Sequence, residues 1–402
     1  MPGLVLYVSY DGLLEPLGQS QVLPYVRGLA RAGHRILLLT FEKPTVLAYM
    51  PPLQHTLAAE GIHWHGLRYH KRPAGLSTAW DVLRGVVVAL RHARRTPIAL
   101  VHARSYVAGV VGAVVARITG AKFLFDLRGM WPEERVEGGL WPVNGVLFQL
   151  AKRAERWLIR RSDAVVVLTS RHRHRLILDS TLRPLVLVHA IPTGVDGGRF
   201  ARPNVHERRP GRPRTLIYAG SLGTRYRLDA MLHFFHLAHL ADPDLRFVIL
   251  TRDPTPWVIR DGVTVWAVTP AEVPDELANA WAGICFVAPA ADRGEPLEAG
   301  ESIGSNLGVC PTKVGEYLAA GLPVIVNARV GDLDALILRH RVGVVAGAMA
   351  VEPYRRAWDE LVALAEDPDL RARCRRVARE HLGLEQGVER YRMLYAELVR
   401  GE

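Results

Sequence analysis

The chain is short of cysteine, of long apolar runs and of glycine fingerprints, and each shortage removes a class of protein. Its 402 residues contain three cysteines, Cys285, Cys310 and Cys374. They form no C-x-x-C pair, which argues against a disulfide scaffold or structural zinc site and fits a reducing compartment. The longest apolar stretch, VAGVVGAVVA from Val107, falls well short of the roughly 18 residues that a membrane-spanning helix needs. Met1–Tyr10 has no basic flank and no cleavage pattern, so no secretory signal is read there. G-x-G-x-x-G is missing from the strand-to-helix loops, which counts against a nicotinamide-dependent dehydrogenase.

Acid is also scarce in the first half. Residues 1–200 hold 26 Lys and Arg against 13 Asp and Glu, whereas the remainder holds 25 against 27. So basic a half suits an anionic partner: membrane headgroups, a phosphorylated lipid or nucleic acid. Arginine decoration of solvated faces is the competing reading. Most basic runs lack the interleaved aromatics of nucleic-acid binders, so no nucleic-acid partner is expected. RYHKR (68–72), RHARR (91–95) and KRAERWLIRR (152–161) suit peripheral binding to an anionic leaflet, with Trp157 and Leu158 as candidates for insertion.

What is present is alternation. Residues 4–9, 35–41, 98–102, 122–126, 164–169 and 185–189 read as buried strands. Helical spacing fills 19–33 (with Ser20 as N-cap and Gly33 as stop), 79–95, 105–119, 145–162 and 170–179. A stretch rich in Pro, Arg and Gly after residue 200 marks a linker. The pattern restarts with strands at 215–220, 246–251, 282–288, 322–328 and 342–347, and an apolar segment at 262–268. Helices are read at 228–241, 271–282, 312–320 and 331–339, and three more helical stretches close the chain. Repeated βα units of this length predict two doubly wound α/β domains, 1–200 and 201–383, with a closing helix over 384–402. Ligands of such sheets bind at the carboxyl ends of the strands.

Three loops lie where that rule points. YDGLLEPLGQSQ sets Gly12 and Gly18 ahead of a helix, where outward amides attract anions; a plain turn fits equally well. YAGSLGTRYRLDAML brackets a loop with Gly220 and Gly223 and offers Arg225 as a nearby cation. PTKVGEYLAAGLPVI is the richest. Pro311 predicts a helix from Thr312, whose free amides and the Lys313 ammonium make a pyrophosphate site. Glu316, one turn on, can accept two hydrogen bonds from a ribose diol. The alternative is an exposed i,i+3 ion pair that contributes about 0.3 kcal/mol.

EYLAAGLPVI (316–325) resembles the signature of retaining glycosyltransferases of the GT-B fold, family 4. IPTGVD (191–196) is similar to the interdomain hinge of that family, and YAGSLG (218–223) to the start of its donor domain. The three occur in the family's order across nearly the whole chain. The resemblance implies two Rossmann-like domains facing a central cleft, with a C-terminal helix that crosses back to the first. It makes Glu316 the ribose-binding acid of a paired-acid motif whose first acid is replaced by Gly308. Asn306, Thr312 and Lys313 then look like a variant with P-[ST]-K in its place. Ser221 and Tyr226 stand where the family carries Arg and Lys, and Lys313 and Arg225 are the candidates for restoring the lost charge.

In the first domain, Arg104 of VHARSY and Arg128 of FDLRGMWPEE stand where the family often has histidine. Asp126, Arg128, Trp131 and Glu134 resemble a subgroup found in bacterial surface-polysaccharide clusters. Arginine cannot serve as a general base, but it can bind a donor hydroxyl or stabilise departing phosphate. An Asp126–Arg128 ion pair that merely holds a loop is the structural alternative. The implied activity is retaining transfer of a sugar from a UDP- or GDP-linked donor to a glycan or polyprenyl-linked acceptor. It implies front-face attack in a cytoplasmic enzyme peripheral to the membrane, with domain closure excluding water. No cofactor and no metal are expected, since the D-x-D triplets at Asp242, Asp332 and Asp367 read as turns or a helix start. Two rivals remain: a nucleotide-sugar epimerase on the same fold, and a basic nucleic-acid- or membrane-binding protein.

Overall fold

The structure, a computed structural model, describes residues 3–73, 75–142, 145–179, 186–203, 212–222, 225–253, 261–288 and 304–400. Contacts divide the chain into two compact units. The first comprises Met1–Pro132, Trp141–Ile191 and Gly387–Glu402; the second comprises Glu133–Leu140 and Pro192–Gln386.

The first unit is built on β1 (Leu4–Ser9), β2 (Ile36–Glu42), β3 (Ile62–Arg68), β4 (Ile98–Arg104), β5 (Lys122–Asp126), β6 (Ala164–Val167) and β7 (Leu187–Ala190). They form one sheet in the order β3-β2-β1-β4-β5-β6-β7, with every pairing parallel. Its helices are α1 (Leu23–Arg31), α2 (Met50–Ala59), α3 (Leu76–Ala93), α4 (Tyr106–Thr119), α6 (Val146–Arg161) and α7 (Ser170–Leu178), while α5 (Trp131–Glu137) begins in this unit and belongs mostly to the second. β1 and β2 are buried along their whole length, which is why they read as unbroken apolar runs. β3 and α2 escape the sequence reading for the opposite reason. β3 is an edge strand, IHWHGLR, whose side chains alternate between core and solvent and leave no apolar run. Ser20 does not cap α1; it lies in a preceding π-helical turn and donates to Pro16 O at 2.8 Å. Leu158 is a core residue at full burial and does not reach a surface, whereas Trp157 is 38% exposed.

The second unit carries α8 (Gly197–Phe200), β8 (Thr215–Ala219), α9 (Leu228–Ala241), β9 (Arg246–Leu250), β10 (Val263–Trp266), α10 (Val273–Ala278) and β11 (Ala282–Cys285). Then follow α11 (Thr312–Ala319), β12 (Val324–Asn327), α12 (Leu333–His340), β13 (Gly343–Ala346), α13 (Val351–Leu364) and α14 (Leu370–Leu382). The sheet order is β10-β9-β8-β11-β12-β13, again parallel. Most of the expected linker, 204–211, lies outside the described residues.

α15 (Leu384–Arg400) begins in the second unit and packs mainly in the first. Gly28 on α1 makes room for Val388, and Gly387 for the Tyr25 hydroxyl. Tyr391, Leu394, Tyr395 and Leu398 are buried along one stripe.

One close approach fixes α11 on its sheet. The Tyr317 ring lies over Gly283 of β11, so near that a Cβ there would meet it at 2.2 Å. Its hydroxyl accepts the Ala219 N–H at the end of β8, at 2.9 Å. Gly283→Val therefore overpacks this seat and is expected to cost about 3 kcal/mol, read as a lowered Tm. Gly197→Ala, where a Cβ meets nothing within 4 Å, should change stability by less than about 0.5 kcal/mol.

Candidate functional site

The second unit's polar cluster forms where β8 ends and α11 begins. Gly220, directly after β8, adopts φ 145°, and a Cβ there would come within 2.9 Å of Lys313 Cε and 3.0 Å of its Nζ. The missing side chain is what lets the lysine in. Lys313 is 7% exposed. Its ammonium sits 3.1 Å from the centroid of the Tyr226 ring and 4.9 Å from that of Tyr218, and donates to Tyr218 Oη at 3.4 Å. Among the described residues no carboxylate lies within ion-pair distance of it. Burial pulls its pKa down to about 8, against the opposing influence of Cys285 and Glu316.

α11 starts at Thr312 with Pro311 as its N-cap, a residue with no side-chain acceptor to cap the first turn, and the positive end of the helix dipole lies there. Glu316 does not pair with Lys313. Among the described residues its carboxylate has neither a hydrogen bond nor an ion pair, and burial raises its pKa. The exposed i,i+3 ion pair is thus absent. A buried cation and a free carboxylate stand one helical turn apart on one element.

The neighbouring side chains differ in how freely they can meet a ligand. Ser221 is exposed at the end of β8, where its carbonyl accepts the Tyr218 hydroxyl. Arg225 is no free cation: Nη2 pairs with Glu134 at 2.9 Å, which cancels much of its charge, while Nη1 is buried without a hydrogen-bond partner. Asn306 is buried in a 3-10 turn and donates to Ala288 O at 2.8 Å, and its Oδ1 has no hydrogen-bond partner among the described residues. Ser305 beside it is held through its N–H and hydroxyl by Glu137. Thr312 opens α11, half-buried. The acids of WPEERVEGGL, distant in sequence, therefore brace this cluster.

The first unit holds a second cluster at the carboxyl ends of β4 and β5. Asp126 is 1% exposed. Its Oδ2 accepts the Tyr391 hydroxyl at 3.0 Å and lies 3.5 Å from His102 Nε2 and 3.9 Å from Arg128 Nη1, while Oδ1 has no hydrogen-bond partner among the described residues. Burial pushes its pKa up, yet Arg128, His102 and Arg104 outweigh that and hold it below the usual carboxylate range. His102 also meets Tyr395 Oη at 2.6 Å, and burial lowers its pKa against the raising influence of Asp126. Arg128 donates to Gln21 Oε1 at 3.2 Å; Arg104 pairs with Asp11. Arg128 and Ser105, just beyond β5 and β4, have φ of 62° and 71°. Left-handed backbone at non-glycine residues costs about 1–3 kcal/mol each, and here it clusters around one carboxylate.

Gly18 does not front a helix. It is buried inside the π-helical turn, where a Cβ would meet Gly12 O at 2.1 Å. The loop it supports has its anion already: buried Glu42 accepts the Leu13 and Leu14 N–H groups at 2.6 and 3.3 Å. Gly18 serves packing and offers no phosphate cradle.

The family model described as glycosyl transferase 4-like domain matches residues 18–194. Through that domain, the chain is a glycosyltransferase. Sucrose-phosphate synthase from Thermosynechococcus elongatus is similar in structure, with 14% identity over 100% of both chains and a TM-score of 0.72. HepE from Anabaena, in complex with UDP and glucose, shares 13% identity over 98% of this chain and 99% of its own, with a TM-score of 0.67. A glycosyltransferase from Rickettsia africae gives 12%, 100%, 99% and 0.67 in the same order. At such identities the likeness is one of fold, and it makes this glycosyltransferase a GT-B protein, as its signature implied. No curated protein sequence matches the chain.

His102, Asp11, Tyr391 and Tyr395 escaped the sequence reading of this glycosyltransferase. The signal for His102 was present, since residues two apart on a strand share a face and Arg104 was already singled out. The Tyr391 stripe was legible as apolar packing, but its hydroxyl chemistry was not. Glu42, beyond the end of an apolar run, gave no sign that it caps a loop.

The Lys313 assignment has a pH signature. An unfolded lysine keeps its proton to about pH 10.5, whereas the buried one releases it at about 8. Between those values the unfolded chain binds more protons, so wild-type stability relative to Lys313→Met should rise with pH. Paired thermal melts from pH 7 to 10 check this; a flat difference would mean that the ammonium is solvated.

Proposed function

We propose that this glycosyltransferase uses a nucleoside-diphosphate sugar whose diphosphate binds at Lys313 and whose ribose binds at Glu316. The observation that carries the reading is the buried Lys313 ammonium, with no counter-ion among the described residues, at the N-terminal turn of α11. Burying such a charge is unfavourable unless an anion joins it. A leaving diphosphate is that anion. Its negative charge grows as the glycosidic bond breaks, so a fixed cation and helix amides stabilise the transition state more than the ground state. Glu316, with its acceptors free, suits the 2′- and 3′-hydroxyls of the ribose.

UDP is the nucleotide we favour, because the similarly folded HepE is found in complex with UDP-glucose. The lysine and amides supply the electrophile, so no metal is required. In the first unit, Asp126 Oδ1 is a ready acceptor for a sugar hydroxyl. Arg128, held by Asp126 and Gln21, supplies positive charge and cannot act as a base. With no separate nucleophile assigned, the leaving phosphate takes the acceptor proton in a front-face, retaining transfer. The acceptor we propose is a glycan or polyprenyl-linked glycan of cell-surface polysaccharide synthesis. Its support is the sequence resemblance of Asp126, Arg128, Trp131 and Glu134.

Thermal melts with UDP, GDP and CMP in the presence of EDTA test the donor site. At about 100 times Kd a ligand stabilises by about 2.7 kcal/mol, enough to raise Tm by several degrees. UDP should do so in wild type, with the shift abolished in Glu316→Ala and reduced in Gly220→Ala, which crowds the lysine. A shift that appears only with added divalent metal would overturn the metal-free reading, and an unchanged shift in Glu316→Ala would overturn the site.

A further inference from the structure

One face of the first unit has outward-facing basic and apolar residues but no exposed carboxylate on its helices. α3, α4 and α6 lie side by side, α3 against α4 and α4 against α6. They link β3 to β4, β4 to β5 and β5 to β6, three steps in one direction across the sheet. Right-handed crossovers therefore set all three on the same side. Their only acids are Asp81 and Glu155, and both are turned inward. Asp81 accepts from Tyr10 Oη at 3.1 Å and meets His70 Nδ1 at 2.6 Å; Glu155 is taken by Tyr106 and Lys152.

The outward positions reverse the usual pattern of a solvated helix, which turns charge to water and apolar groups inward. On α3, Leu76, Trp80 and Leu83 are 72%, 51% and 54% exposed at helical spacing. On α6, Leu147, Leu150 and Trp157 are 58%, 52% and 38% exposed, and Ile118 at the end of α4 is 61% exposed. Exposed Arg91, Arg117, Arg153 and Arg156 stand among them.

We propose that this face docks on an anionic lipid bilayer, with Trp80 and Trp157 at headgroup level and the arginines against lipid phosphates. The charge selects the partner. A two-fold pairing of the face with itself would set arginines against arginines, with no carboxylate on these helices to meet them. Among the described residues no helix is long and apolar enough to cross a membrane, so the contact is superficial. The docking does not depend on the donor reading, and Glu316→Ala should bind vesicles as wild type does.

Co-sedimentation of the full chain with phosphatidylcholine vesicles, with and without phosphatidylglycerol, tests the proposal. Wild type should bind the anionic vesicles, and high salt should weaken binding about tenfold or more. R117E/R153E/R156E should lose at least about tenfold in affinity with an unchanged Tm, as should W80S/L83S. If W80S/L83S fails to fold, the arginine variant, altered only at exposed positions, still decides. Failure of wild type to bind anionic vesicles overturns the proposal, as does equal binding by the arginine variant. A dimer in sedimentation that W80S/L83S breaks, without vesicle binding, would overturn it in favour of a second copy.

Discussion

Parallel strand direction is the constraint from which the rest of this glycosyltransferase follows. In both sheets each strand ends at the same edge, so every βα loop is delivered to that edge and every helix starts there. Residues that are remote in sequence meet because their strands end together. Arg104, Asp126 and Arg128 come from the ends of β4 and β5; Gly220 and Lys313 come from the end of β8 and the start of α11. Functional groups are thus collected by direction, and close packing then sets their distances.

At the second unit's edge, small residues do the setting. Gly283 admits the Tyr317 ring, which pins α11, and Gly220 leaves the space that Lys313 fills. The result is a lysine on tyrosine faces, held by cation–π contact and one long hydrogen bond, with no carboxylate beside it among the described residues. Such a group keeps its charge readily removable, and an arriving anion meets a cation that no carboxylate of the described residues neutralises. Arg225 shows the contrary arrangement. Paired with Glu134, it has its counter-ion in place and little charge left to offer.

The sequence was most legible where burial is uniform. β1, β2, β8, β11 and β12 announced themselves as apolar runs, and α11 began at Thr312 as Pro311 implied. It was least legible where a side chain's role depends on what folds against it. β3 alternates because it is an edge. Glu42 looked like surface charge at a strand end and is instead the buried anion that holds Leu13 and Leu14, which removed the reason for placing a phosphate near Gly18. Tyr391 and Tyr395 belonged to an apolar stripe and proved also to be hydroxyl partners of Asp126 and His102. Chemistry carried by a residue and its local spacing can be read; chemistry that needs a partner hundreds of residues away cannot.

That last separation has a temporal meaning. Synthesis runs from the N-terminus, so β1 to β7 emerge well before the helix that supplies Tyr391 and Tyr395. At roughly 5–20 residues per second the interval is on the order of ten to forty seconds. Throughout it, the seat of α15 beside α1 is an open apolar groove, and the buried carboxylate at its floor lacks its tyrosine. The first unit is thus the earlier to be made and the later to be finished, and the second unit can complete its core while the first is still waiting.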